Sequence, residues 1–150
     1  MSQERKEIEV KIYKADDPES KLKAELGRLS EDESKEALQL KVRAENCGGV
    51  GQVEGIAEVL VGLIKPHWRL MLWIGRNGLG SVPESVWELA NLEELRLNSN
   101  KLKTLSPAIA KLTKLRRLWI GWNPFGSLPE SLCQLEQLEI LIVCSCQLSV

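Results

Sequence analysis

LEELRLNSNKLKTLSPAIAKLTK, residues 92–114, runs directly into LRRLWIGWNPFGSLPESLCQLEQ, residues 115–137, and the two overlay at an offset of 23 residues. A third copy, LEILIVCSCQL, begins at Leu138, and stepping back by the same offset gives RLMLWIGRNGLGSVPESVWELAN from Arg69. A fixed period of this length marks stacked units, none of which can bury its apolar side alone. Leu72, Leu95, Leu118 and Leu141 share one slot. Ile74, Leu97, Ile120 and Val143 share the next, two residues on, which is the alternation of a strand.

Asn77, Asn100 and Asn123 fill a third slot, taken by Cys146 in the last copy, and Leu79, Leu102, Phe125 and Leu148 follow. An amide where the chain leaves a strand can pair backbone groups of adjacent turns that burial would leave unsatisfied. A thiol does this only weakly. The pattern L-x-x-L-x-L-x-x-N/C-x-L over residues 69–150 resembles the leucine-rich repeat family. The segments Leu128-Pro129-Glu130-Ser131-Leu132 and Val82-Pro83-Glu84-Ser85-Val86 look like its short intracellular class, typified by Ras-pathway scaffold and suppressor proteins. Two departures stand out: Arg69 replaces the opening Leu, and in Ser106-Pro107 the proline arrives one residue late. The resemblance implies an α/β solenoid with a parallel sheet on its concave side and a helical or irregular convex side. It also implies non-covalent recognition of a protein partner.

The chain has 150 residues, enough for one domain, and a net charge of −1, so no global field draws it to nucleic acid or a membrane surface. Residues 1–65 hold 11 basic and 14 acidic side chains, and residues 66–150 hold 9 and 7. The opening MSQERKEIEV is too charged for a signal peptide, and the longest apolar run, Ile56–Ile64, is interrupted by Glu58, so a cytoplasmic location is expected. Cys47, Cys133, Cys144 and Cys146 form no C-x-x-C pair and read as reduced thiols.

Ile8, Val10 and Ile12 alternate with Glu9, Lys11 and Tyr13, which predicts a half-buried strand. Asp17-Pro18 opens a helix with an apolar stripe of Leu22, Leu26 and Leu29. Residues 30–47 carry two conflicting signals. The capping box Ser30-Glu31-Asp32-Glu33 and the stop Asn46-Cys47-Gly48 favour a helix, while Leu38, Leu40, Val42 and Ala44 alternate as a strand. Val10 to Leu40 is 30 residues and Leu40 to Leu72 is 32, spacings that favour the strand and a single solenoid. The stretch 38–64 also bears a faint likeness to longer repeats of the ribonuclease-inhibitor type. Gly48, Gly49 and Gly51 read as a loop, followed by a helix with Val53, Ile56, Ala57, Leu60, Leu63 and Ile64 on one side and closed by Lys65-Pro66. The organisation expected is 1–68 as longer βα units or a cap, then short repeats starting at 69, 92, 115 and 138.

Little here serves an enzyme. His67 is the only histidine, the glycine cluster at 48–51 has Glu54 where a third phosphate-loop glycine belongs, and no metal-ligand set is present, so no catalysis, cofactor or metal is expected. The informative positions are those between the core leucines. They hold Met71, Glu94, Arg117 and Ile140, then Trp73, Arg96, Trp119 and Ile142, then Gly75, Asn98, Gly121 and Cys144, and last Arg76, Ser99, Trp122 and Ser145. Aromatic rings there serve ordinary sheet propensity, or, beside arginine, anchor an interface. Trp73, Arg76, Arg96, Arg117, Trp119 and Trp122 are therefore the candidate partner-binding residues of an adaptor or regulatory subunit. Two alternatives use the same material: a nucleic-acid binder using Arg76, Arg96, Arg116 and Arg117 with tryptophan stacking, and a light-chain-like assembly subunit of a larger complex. The last copy lacks a return segment, which predicts self-association through Leu141, Val143 and Leu148 or a longer array.

Overall fold

A computed structural model describes residues 6–14, 17–29 and 38–147. Six strands form one parallel sheet in chain order: β1 Glu7–Lys11, β2 Gln39–Arg43, β3 Arg69–Trp73, β4 Leu92–Arg96, β5 Arg117–Trp119 and β6 Ile140–Ile142. Helix α1, Pro18–Gly27, follows β1, and α2, Val50–Leu63, follows β2. Between the later strands the return segments shrink to 3₁₀ turns at Glu84–Glu88, Pro107–Lys111 and Glu130–Gln134. One continuous core lies between the sheet and these segments, from Val10 to Leu135. Trp68 and Trp87 are buried in it, so only part of the tryptophan content reaches the opposite face.

Strand alternation prevails at β2: Leu38, Leu40, Val42 and Ala44 are all buried. The capping box Ser30–Glu33 lies outside the described residues. The register differs from the one the spacings predict. Val42, not Leu40, pairs with Leu72 and with Val10, while Leu40 pairs with Ile8 and Leu70. A slip of two residues keeps the same side chains facing the core, so a hydrophobic pattern cannot detect it.

A second difference explains Arg69. The ladder slips between Leu70 and Met71, so that Leu70 pairs with Leu92 but Met71 with Glu94. The slot of Leu92 is thus filled by Leu70, and Arg69 turns to Glu93, its Nε donating to Oε2 at 2.6 Å. The late proline has a similar local reason. Ser106 caps the turn Pro107–Lys111, its hydroxyl accepting from the Ala108 N–H at 3.2 Å, where Pro83 and Pro129 stand at the matching ends.

Smaller corrections concern α2. Gly48 and Gly49 form the loop, with φ of 128° and 102°, but Gly51 already belongs to the helix. Leu63 is exposed, and Ile64, one residue on and extended, packs against the core in its place.

Each strand from β2 to β6 is followed by the same left-handed step, at Asn46, Arg76, Ser99, Trp122 and Ser145, with φ between 53° and 58°. One residue later comes the asparagine column. Asn100 Nδ2 donates to the carbonyls of Ile74 and Leu97, at 3.2 and 2.8 Å, and its Oδ1 accepts from the N–H groups of Asn77 and Leu79, at 3.0 and 3.1 Å. Asn77 and Asn123 repeat the two donated bonds, and each Oδ1 accepts from one N–H, that of Cys47 and that of Leu102. Cys146 offers one long bond from Sγ to the Ile120 carbonyl, 3.4 Å, and another at 3.8 Å. Cys47 occupies the same column one unit earlier, its N–H donating to Asn77 Oδ1 at 2.9 Å. Burial pushes its thiol pKa up. At the far edge Ile140 and Leu141 are exposed and Val143 is half-buried, while Leu148 lies outside the described residues.

Candidate functional site

The sheet face opposite the helices carries the residues between the core leucines. Pairing brings Lys11, Arg43, Trp73, Arg96, Trp119 and Ile142 into one row across the six strands. In that row Arg96 lies between two indoles. Its guanidinium carbon is 3.6 Å from the centre of the Trp73 ring and 4.3 Å from that of Trp119. Strands two apart stand about 10 Å from each other, so both rings lean towards the arginine to close on it. Arg43 approaches Trp73 as well, at 4.7 Å, and Lys41 at 5.4 Å. Contacts of this kind contribute about 0.5–1 kcal/mol each when exposed and more as water is excluded.

One carboxylate fixes the stack. Glu94 is buried, and its Oε1 accepts from Trp73 Nε1 and from Arg96 Nε, each at 2.8 Å. Its other oxygen lies 2.9 Å from Arg117 Nε, as an ion pair whose N–H is not aligned for a hydrogen bond. A buried acid without donors would be costly. Here a neutral N–H and two cations surround it. Glu94 therefore holds Trp73 and Arg96 in register and brings Arg117 alongside.

Around the stack the backbone is kept low. A side chain at Gly75 would put Cβ 2.8 Å from the Asn98 carbonyl oxygen, and one at Gly121 would put it 2.8 Å from Cys144 Sγ. Glycine at these positions lets neighbouring turns close on each other. Beyond them stand Arg76 and Trp122 on the left-handed steps, both exposed.

The structure thus gathers Trp73, Arg96, Arg117 and Trp119 into one cluster. It sets Arg76 and Trp122 on the adjoining turn edge, with no ring or ion-pair contact to the cluster among the described residues. Arg116 stands outside, tied to Glu139. Sequence reasoning missed Lys41, Arg43 and the central role of Glu94. Arg43 and Lys41 had a readable signal, since they alternate with Val42 in β2, but finding them requires the register. Glu94 had only its place in the row of Met71 and Arg117.

Residues 91–112 and 114–135 match the sequence model of the family described as Leucine Rich Repeat. These are leucine-rich repeats. Comparison with curated proteins finds no match. Leucine-rich repeats generally mediate protein–protein interaction and are typically non-enzymatic. Each match begins one residue ahead of the leucine that opens a repeat, Leu92 and Leu115, so the family's unit and the 23-residue period coincide. Among the described residues no helix is long and apolar enough to cross a membrane.

Proposed function

We propose that this chain is an adaptor or regulatory subunit that binds a protein partner on the concave face of its leucine-rich repeats, centred on Trp73, Arg96 and Trp119. The observation that carries this reading is the sandwich itself, with Arg96 at 3.6 and 4.3 Å from two indoles and held by buried Glu94. Aromatic and arginine side chains locked by their neighbours lose little entropy on binding, which is the character of interface anchors. Trp122 supports it from the edge. It is 57% exposed and sits at φ 53°, a conformation that disfavours bulky side chains. Burial against a partner would recover apolar surface that the isolated chain leaves in water. Arg76 borders the same edge. The nucleic-acid alternative is weakened because Trp73 and Trp119 already stack on a guanidinium, leaving fewer free ring faces for bases.

Trp119→Ala is expected to weaken partner binding by about 2 kcal/mol or more while shifting the melting curve little, because the ring is outside the core. Partner capture from cell extract with wild-type and variant chains, then calorimetry on the captured protein, measures this. Equal binding by both would move the site to another face.

A further inference from the structure

The chemistry of the partner follows from how the charges on this face are shared, an inference that rests on the concave face being the docking surface. In the row Lys11, Arg43, Trp73, Arg96, Trp119 every residue is a cation or an indole. The carboxylates of the neighbouring row are each divided between two cations. Glu94 serves Arg96 and Arg117, at 2.8 and 2.9 Å, and Glu9 serves Lys11 and Arg43, both at 3.5 Å. Glu45 reaches Arg43 as well, at 4.0 Å, so the Glu9 pair is the better compensated. Among the described residues no further carboxylate pairs with Arg96 or Arg117, and one positive charge is left over there in the middle of the sheet.

The geometry of the surplus is specific. Both guanidiniums meet Glu94 through Nε. No terminal amino nitrogen of either makes a hydrogen bond among the described residues. Arg96 is held between its two rings and by Glu94, so its terminal amino groups are already positioned. A planar fork of this kind matches a carboxylate. The adjoining positions Gly75, Asn98 and Gly121 carry no charge that would compete for that carboxylate.

We propose that the partner segment is an extended acidic peptide, one of whose Asp or Glu carboxylates is taken by the terminal amino groups of Arg96 and Arg117, with an apolar neighbour against Trp119.

Selection of a random library of about twelve-residue displayed peptides on the full chain tests this. Parallel selections use Trp119→Ala, the double variant Arg96→Gln with Arg117→Gln, and Arg117→Gln alone, which leaves the stack intact should the double variant melt early. The expected result is peptides rich in Asp and Glu. Their affinity should fall roughly tenfold or more in the double variant, by a smaller factor in Arg117→Gln, and severalfold when salt rises from about 0.05 to about 0.5 M. Neutral or basic peptides that bind wild type but lose Trp119→Ala would overturn the acidic partner while leaving the concave site standing. Acidic peptides bound equally by all variants would overturn both. So would the recovery of no binder. A single-stranded oligonucleotide that outcompetes every selected peptide would overturn the proposal in favour of nucleic acid.

Discussion

Asn100→Ala is expected to destabilise the fold by about 2–5 kcal/mol, because it orphans two buried N–H groups at once. The side chain makes four hydrogen bonds, but they are not equivalent. The carbonyl of Ile74 also accepts from Asn77 Nδ2, and that of Leu97 also accepts from Asn123 Nδ2, both at 3.0 Å, so each keeps a donor when Asn100 is removed. The N–H groups of Asn77 and Leu79 have Asn100 Oδ1 as their shared acceptor, at 3.0 and 3.1 Å. Asn100 is buried and water has little access to replace it. Asn100→Asp separates the two halves of the role. It keeps an acceptor for both N–H groups but turns a second oxygen towards the carbonyls of Ile74 and Leu97, so it too should be destabilising. Chemical denaturation of the three chains measures the effect. A loss below about 1 kcal/mol for Asn100→Ala would mean that the column contributes less than a buried hydrogen bond ordinarily does.

Leu118→Ala should cost about 2–5 kcal/mol through lost burial and the cavity left behind. Leu118 is fully buried, paired across β5 with Leu95 on one side and Leu141 on the other. Its neighbour Trp119 points to the other face, so adjacent substitutions should separate stability from binding. The same column supplies an internal control. Leu141 occupies the equivalent slot in β6 but is 39% exposed. Leu141→Ala removes the same atoms from a place that is partly in water, and should cost clearly less, about 1 kcal/mol. Equal losses at the two positions would show that Leu141 is covered in solution, as self-association would do. Melts at several protein concentrations distinguish that outcome, since association makes the midpoint concentration-dependent.

What the sequence determined by itself is whatever depends on local spacing. The 23-residue repeat, the core slots of Leu72, Leu95, Leu118 and Leu141, the asparagine column and the open-face row of Trp73, Arg96 and Trp119 are all legible in it. A strand's side chains alternate, and a period repeats the alternation in identical places. The strand at β2 was legible for the same reason, against a helical capping signal that falls on residues 30–33. Register was not. Pairing Val42 rather than Leu40 with Leu72 leaves every apolar residue on the core side, so composition cannot choose between them. The slip between Leu70 and Met71, which removes Arg69 from the core slot, is a property of two strands together. Only tertiary structure decided the site's chemistry for the same reason. Arg43 belongs to the site because β2 lies beside β3, and Glu94 is its keystone because two hydrogen-bond donors and a further cation, from three strands, converge on it. A carboxylate surrounded by Trp73, Arg96 and Arg117 is a fact about the distance between strands, and no single strand's sequence contains that distance.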